Sequence, residues 1–254
     1  MAPASRSASI EGMRQIAALA ASTTLLAAAT VGCGIDLDAK DVHTTRAFPH
    51  TGTALTINVS VGGVRVLQGT GDTVKVDRWL RGKAATGESA WSLRDGTLRL
   101  SADCTMVFGD CGARYHVRVP PGVRLSVDAP DGVVLNDLAQ DVDAVSRERI
   151  QVTGSSGRLR LRAEGSVRGV NLKSPDVRVR TSDGAIDLTF ATRPKDLDLR
   201  SQDGRVTARV PSGAYAVTTV SQDGSRRTEV EQDRKSDATI VARSDTGDVR
   251  ILKK

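Results

Sequence analysis

Aromatic side chains are what this 254-residue chain most lacks: Phe, Tyr and Trp together make up 3% of it. A broad core built on large rings is therefore excluded. Val, Leu, Ile and Ala must do most of the burying, which suits a narrow core of stacked aliphatic side chains. Histidine is scarce, at three in the chain, and so is cysteine, also at three. The chain has no H-E-x-x-H, no G-x-S-x-G elbow and no phosphate-binding glycine loop, so the signatures of metalloproteases, α/β-hydrolases and P-loop enzymes are missing. A dominant charge is missing too. Lys+Arg total 36 against 30 for Asp+Glu, a formal net charge of +6. Such a mixed surface permits weak attraction to anionic surfaces and does not describe a nucleic-acid clamp.

Only one long apolar run occurs. Residues 16–32 are Ala-rich, follow Arg14 and end in Thr30-Val31-Gly32-Cys33. A positive start, an apolar run and small residues at its end make the pattern of a cleaved secretory signal. Met13-Arg14 makes a tidier start for it than Met1, because Glu11 is out of place in the charged region. The end of the run resembles the bacterial lipobox, where a cysteine after small residues is lipidated and becomes the new N-terminus. Val31, Gly32 and Cys33 fit that pattern, and Thr30 stands where Leu is usual. The cysteine count points the same way, since Cys104 and Cys111 form a natural local pair and leave Cys33 over. We therefore expect a signal peptide over 1–32, a lipidated Cys33 heading a polar tether over 33–52, and a single β-repeat domain over 53–254. Each buried CH₂ of the lipid contributes about 0.8 kcal/mol, enough for a multiply acylated cysteine to hold the protein on the outer face of the cytoplasmic membrane. Ordinary cleavage would instead secrete it. His43 and His50 read as solvated tether residues.

What the chain has in plenty is one repeated phrase. Val177-x-Val179-x-Thr181-Ser182-Asp183-Gly184-x-Ile186-x-Leu188-x-Phe190 is answered by Leu197-x-Leu199-x-Ser201-Gln202-Asp203-Gly204-x-Val206-x-Ala208-x-Val210. Period-two alternation marks half-buried strands. With the turn glycine as origin, apolar or small residues recur two residues apart on both sides of Gly132, Gly157, Gly184, Gly204, Gly224 and Gly247. At Gly132 the inward residue downstream is Val134, with Asn136 an exception. At Gly224 Arg226 and Thr228 fall on inward positions and mark a loose or shifted coil. A repeat in the twenties of residues is a solenoid signature, because one such unit cannot bury its own apolar edge. The expected fold is all-β, a parallel β-helix or β-solenoid stack, with an antiparallel β-sandwich as the rival. Six or so coils at about 4.8 Å make a core roughly 25–30 Å long.

Regular coils occupy 121–254. Residues 53–120 are less regular, contain a flexible loop from Gly82 to Glu88, and are expected to cap the open end. Cys104 and Cys111 flank Phe108-Gly109-Asp110 and, in an exported chain, predict a disulfide-pinned hairpin. In each turn glycine is expected to supply positive φ, Asp to bond its nearby backbone, and the small residue three before the glycine to bond along the stack. No metal is expected at the turn carboxylates.

The segment Val117-x-Val119-Pro120-x-Gly122-x-x-Leu125, the lipobox-like leader and the reiterated S-x-D-G turns resemble a bacterial adhesin-like domain family of unknown function, whose members are exported lipoproteins with β-helix-like repeats. The resemblance covers roughly Thr53 to Leu252. It implies a fold and an envelope location, and it supplies neither catalytic residues nor a cofactor. The expected role is that of a lipid-anchored envelope protein that binds or scaffolds at the cell surface. Candidate binding residues come from the outward alternation: Arg158, Arg160, Arg162, Arg178 and Arg180 would align into a basic strip facing cell-wall polymer, lipid headgroups or another envelope protein, and not nucleic acid. One alternative is a polysaccharide-acting enzyme on a β-helix, which needs converging carboxylates and a base. Another is a structural or regulatory spacer paired with a membrane protein. His116 falls on an outward face with no partner evident in sequence.

Overall fold

The computed structural model describes residues 41–105 and 110–254. The expected signal peptide, Cys33, the first part of the tether and residues 106–109 lie outside them. In chain order the elements are β1 (Val42–Pro49), β2 (Ala54–Val59), β3 (Gly63–Gln68), β4 (Thr73–Gly82), a short helix α1 (Lys83–Thr86), β5 (Ser89–Arg94), β6 (Thr97–Ala102) and β7 (Cys111–Val119). Then come β8 (Arg124–Asp128), β9 (Val133–Asn136), β10 (Val142–Ser146), β11 (Ile150–Thr153), β12 (Leu159–Ala163), β13 (Val167–Leu172), β14 (Asp176–Thr181) and β15 (Ile186–Phe190). The last are β16 (Asp196–Ser201), β17 (Val206–Val210), β18 (Ala214–Ser221), β19 (Arg226–Thr228), β20 (Glu231–Gln232), β21 (Thr239–Ser244) and β22 (Val249–Lys253). Helix α1 stands where the sequence suggested a flexible loop.

The strands form two 11-stranded sheets. Sheet A has the order β1-β4-β7-β3-β9-β11-β13-β15-β17-β22-β19, and sheet B the order β20-β18-β21-β16-β14-β12-β10-β8-β2-β6-β5. In the repeating region a strand of sheet B turns a corner and continues as a strand of sheet A, so β8/β9, β10/β11, β12/β13, β14/β15 and β16/β17 are successive rungs. Rung-to-rung pairings are parallel, for example Leu159↔Val177 and Val177↔Leu197. Antiparallel pairing is confined to β1–β4, β4–β7 and β5–β6. The fold is therefore a β-solenoid rather than an antiparallel sandwich. The N-terminal region does more than cap it, because β2/β3 and β6/β7 are rungs in their own right.

Residues 42–49, expected within the tether, are strand β1 instead. His43 stacks on Trp79 with ring centroids 4.6 Å apart, Thr45 Oγ1 donates to Asp77 Oδ1 at 2.6 Å, and Phe48 and His50 are buried. Polar residues at alternate positions hid this strand, since its apolar anchor is a single Phe near the end.

The core is an aliphatic ladder, as the shortage of aromatics requires. In sheet B Leu125, Val142, Leu159, Val177 and Leu197 stack in register, at spacings of 17, 17, 18 and 20 residues. The glycine frame missed the turns of two of these rungs, that of β12/β13 lying at Gly165. Rung β10/β11 turns through Arg147-Glu148-Arg149 without a glycine, whereas Gly157 lies at the opposite corner, between β11 and β12. The phase at Gly132 also differs from expectation: Val133 and Leu135 are buried, in place of Val134, and Gly132 has φ 108°. Phe190 is buried mid-stack on β15, and other rings finish the ends. Phe48 meets Trp91 edge-on at 6.4 Å at the β1/β5 end, and Tyr215, buried at the other, donates its hydroxyl to the Pro211 carbonyl at 2.8 Å.

The turn glycines stack on one another, and this explains them better than positive φ, which Gly184, Gly204, Gly224 and Gly247 do not adopt. A Cβ on Gly204 would lie 2.2 Å from the Gly184 carbonyl oxygen, one on Gly247 would lie 2.6 Å from that of Gly204, and one on Gly224 would lie 2.5 Å from that of Gly247. The preceding serines tie this stack together. Ser201 Oγ accepts from its own Gly204 N–H at 2.8 Å and donates to the neighbouring Gly184 carbonyl at 3.1 Å. Ser244 repeats the pattern between Gly247 N–H and the Gly204 carbonyl, both at 2.9 Å. Ser221 repeats it between Gly224 N–H at 2.9 Å and the Gly247 carbonyl at 2.8 Å. Each hydroxyl thus satisfies one buried donor and one buried acceptor on adjacent rungs. The turn carboxylates of Asp183 and Asp203 are exposed and make no side-chain hydrogen bond among the described residues.

Spatial order departs from chain order at both ends. Strands β21 and β22, the last in sequence, sit between β16/β17 and β18/β19. The coil at Gly224 is therefore the terminal rung, which is why Arg226 and Thr228 are tolerated there. At the other end β2/β3, the first rung in sequence, lies inside β6/β7 and against β8/β9. In each case the chain leaps over a slot held by another rung, a step of about 9.6 Å at about 4.8 Å per strand. The leaps share a phrase: Val119-Pro120-Pro121-Gly122 and Val210-Pro211-Ser212-Gly213, with φ +75° at Gly122 and +151° at Gly213. Proline cannot extend the preceding ladder, and glycine allows the turn.

Cys104 and Cys111 are disulfide-bonded, with Cα atoms 5.6 Å apart. The bond closes a corner rather than a hairpin, because β6 belongs to sheet B and β7 to sheet A.

A candidate anion-binding face

Strands β12, β14, β16 and β21 turn one residue in two into the core, so the alternate residues must face out. Leu159, Leu161, Val177, Val179, Leu197, Leu199, Ile240 and Ala242 are the buried set. Parallel register then stacks the outward residues. One line reads Val145, Arg162, Arg180, Arg200, Arg243 and Val220. The line beside it reads Asp143, Arg160, Arg178 and Asp198. Four consecutive arginines on neighbouring strands oppose stability, since like charges directly across a ladder repel.

Asp198 relieves part of that repulsion. Its Oδ2 lies 3.4 Å from Arg178 Nε and 3.5 Å from Arg180 Nη2, and its Oδ1 accepts from Arg200 Nε at 3.0 Å. The carboxylate is only 12% exposed, so these contacts are better shielded than ordinary surface pairs. Arg160, Arg162 and Arg243 have no carboxylate partner among the described residues, so the face keeps a local excess of positive charge.

Of the arginines singled out from sequence, the structure brings together Arg160, Arg162, Arg178 and Arg180. Arg158 is not part of the strip: it precedes β12 and pairs with Asp141 at 2.9 Å. Arg200, Arg243 and Asp198 escaped the sequence reading, although a signal existed. Arg180, Arg200 and Arg243 each stand four residues before a turn glycine, Gly184, Gly204 and Gly247.

Two concavities adjoin the arginines. A pocket of about 220 Å³ is lined by Arg160, Leu161, Arg162, Arg178 and Arg180. Next to it a more open groove of about 650 Å³ crosses several rungs, lined by Val145, Arg147, Arg162 and Arg180 and also by Asp128 and Glu164 among others. Val145, 41% exposed, gives the groove an apolar patch beside its cations.

His116 lies on the outer face of sheet A, edge-on to Trp79 at 4.6 Å. Burial, with Arg65 and Arg114 adding to it, pushes its imidazole below the ordinary value, against a smaller opposing effect of Asp77. No group of three or more His, Cys, Asp or Glu side chains among the described residues is placed to hold a metal ion. No helix among the described residues is long and apolar enough to cross a membrane.

No curated protein matches the sequence. A "putative cell adhesion protein" from Clostridium sporogenes superposes with a TM-score of 0.43 at 13% identity, over 85% of this chain and 100% of that one. A "putative adhesin" from Parabacteroides merdae gives 0.40 at 12% identity, over 83% and 96% of the two chains. Residues 139–252 match the Toastrack DUF4097 family. That match spans the rungs from β10 to β22, and an adhesin-like family of unknown function is what this sequence resembles.

Proposed function

We propose that this is an adhesin-like envelope protein, exported and held by lipid on Cys33, that binds anionic envelope polymer through the arginine face of sheet B. The observation that carries the proposal is the in-register line Arg162–Arg180–Arg200–Arg243, in which Asp198 is the one carboxylate within ion-pair distance among the described residues. Repulsion along such a line lowers stability, and an anionic ligand laid along it removes the penalty. The anchor is supported by the apolar run ending at Cys33 and by the pairing of the other two cysteines with each other.

Co-sedimentation of the mature protein with isolated cell-wall material tests the binding. Retention is expected at low salt and release at about 0.5 M NaCl, where the screening length falls to roughly 4 Å. The double charge reversal Arg160→Glu/Arg178→Glu is expected to abolish retention with the fold intact by circular dichroism. Retention indifferent to salt and to the reversal would overturn the proposal. For the anchor, mass measurement of the mature N-terminus is expected to find acylated Cys33, and an unmodified thiol there would remove the lipid from the account.

A further inference from the structure

Where the arginine line begins, four guanidinium-bearing side chains surround one small space. Arg160 and Arg162 come from β12, Arg178 and Arg180 from β14, paired in register as Arg160↔Arg178 and Arg162↔Arg180. Neighbouring strands lie about 4.8 Å apart and alternate residues on a strand about 6.6 Å apart, so the four Cα atoms mark a tight rectangle. The pocket inside it is lined by these four arginines and Leu161 alone.

Two properties separate this pocket from a merely basic patch. Asp198 holds Arg178 and Arg180 from the β16 side, fixing half of the cluster in place. Arg160 and Arg162, on the opposite side, have no carboxylate among the described residues, so their donors remain available to a ligand. The second property is directional. A guanidinium offers a planar fork of N–H groups that matches carboxylate and phosphate oxygens. A carboxylate presents two oxygens in one plane and is filled by one or two such forks. Arg160 and Arg162 offer forks without a carboxylate, and Arg178 and Arg180 add the N–H groups not turned to Asp198, a set of donors on two sides that suits an acceptor with oxygens pointing in several directions.

We propose that this pocket seats one tetrahedral oxyanion, a phosphate or sulfate group, carried on an extended chain that lies along the groove. The inference rests on the binding face argued above and deepens it. The chain runs parallel to the solenoid axis, because both the arginine line through Arg200 and Arg243 and the neighbouring groove run across successive rungs. The exposed Val145 side chain lies against the chain's uncharged part.

The test is side-chain NMR of the mature protein, following arginine Nε–Hε signals during titration with inorganic phosphate, sulfate and acetate. Phosphate and sulfate are expected to give saturable shifts confined to Arg160, Arg162, Arg178 and Arg180, and acetate markedly weaker ones. Arg162→Gln is expected to weaken phosphate binding roughly tenfold or more, the usual loss for a charge-assisted bond. Arg162→Lys, which keeps the charge and loses the fork, is expected to weaken it several-fold, whereas Arg168→Gln on sheet A leaves it unchanged. Equal response to acetate, non-saturating shifts spread over both sheets, or an unchanged affinity in Arg162→Lys would each overturn the pocket. Long-chain polyphosphate is expected to displace the Cys33→Ser protein, which carries no lipid, from wall material, while vesicles of phosphatidylglycerol are not. Displacement by vesicles alone would overturn the extended chain. Wall retention without localised phosphate shifts would sink the pocket and leave the binding face. Localised shifts without wall retention would do the reverse.

Discussion

Deletion of residues 237–254 will unfold far more than the end of the molecule. In a solenoid whose rungs follow chain order, removing the last one trims an end and leaves the rest stacked. Here the last strands in sequence are internal: β21 pairs with both β16 and β18, and β22 with both β17 and β19. Their loss removes the fully buried Ile240, Val249 and Ile251, each contributing about 1.5–3 kcal/mol by burial. It also removes the only rung on which β18/β19 is seated. The combined cost is comparable to the whole stability of a typical domain, about 5–15 kcal/mol. The expected result is a truncated protein in which residues 212–236 are cut rapidly by trypsin at Arg226, Arg227 and Arg234, with melting lowered and broadened. Resistance of that segment equal to the intact protein's would mean that the terminal rung can seat directly on β16 and β17.

Gly204→Ala is expected to be strongly destabilising. The added methyl would stand 2.2 Å from the Gly184 carbonyl oxygen and 2.4 Å from its carbon, both backbone atoms that cannot rotate away. Making room means separating two rungs, which also stretches the Ser201 and Ser244 bonds to the Gly184 and Gly204 carbonyls. Overpacking typically costs about 1–3 kcal/mol and occasionally more. The loss of a buried hydrogen bond on either side adds about 1–3 kcal/mol. A destabilisation of about 3–5 kcal/mol by urea denaturation is the expected outcome. Ser244→Ala, which removes the hydroxyl but leaves the glycine stack, should lose about 2 kcal/mol. Gly112→Ala in β7, where an added Cβ meets nothing within 4 Å, should change stability by less than about 0.5 kcal/mol. Equal effects at Gly204 and Gly112 would show that the stack is not what requires glycine.

Much of this was legible in the sequence, and the rest was hidden for identifiable reasons. Alternation about Gly184 and Gly204 gives strands, inward residues and a stacked fold directly, because every rung must bury the same face. Rung order is not local information. The rung at Gly247 reads like any other, and only its long-range pairing shows that it lies inside the rung at Gly224. Two signals pointed there without being decisive: the charged Arg226 at an inward position, and the repeated Val-Pro-x-Gly phrase at Val119 and Val210. Rung β10/β11 was invisible to a glycine count because Arg147-Glu148-Arg149 makes its turn. In the candidate site Arg160, Arg162, Arg178 and Arg180 followed from outward alternation alone. Asp198 and Arg200 alternate outward in the same way on the next rung, and only the place of Arg243 beside Arg200 required register across strands distant in sequence. Arg158 was lost from the strip because alternation cannot tell a strand position from the corner before it.

The claim at the centre of this account is that sheet B, through its arginines, is the face that meets the envelope. Arginine-selective modification with phenylglyoxal, read residue by residue by mass spectrometry with and without bound wall material, tests it most directly. Arg160, Arg162, Arg180 and Arg243 on sheet B are expected to be protected, while Arg65 and Arg168 on sheet A react as in the free protein. Protection centred on sheet A, or shared evenly by the two sheets, would contradict it.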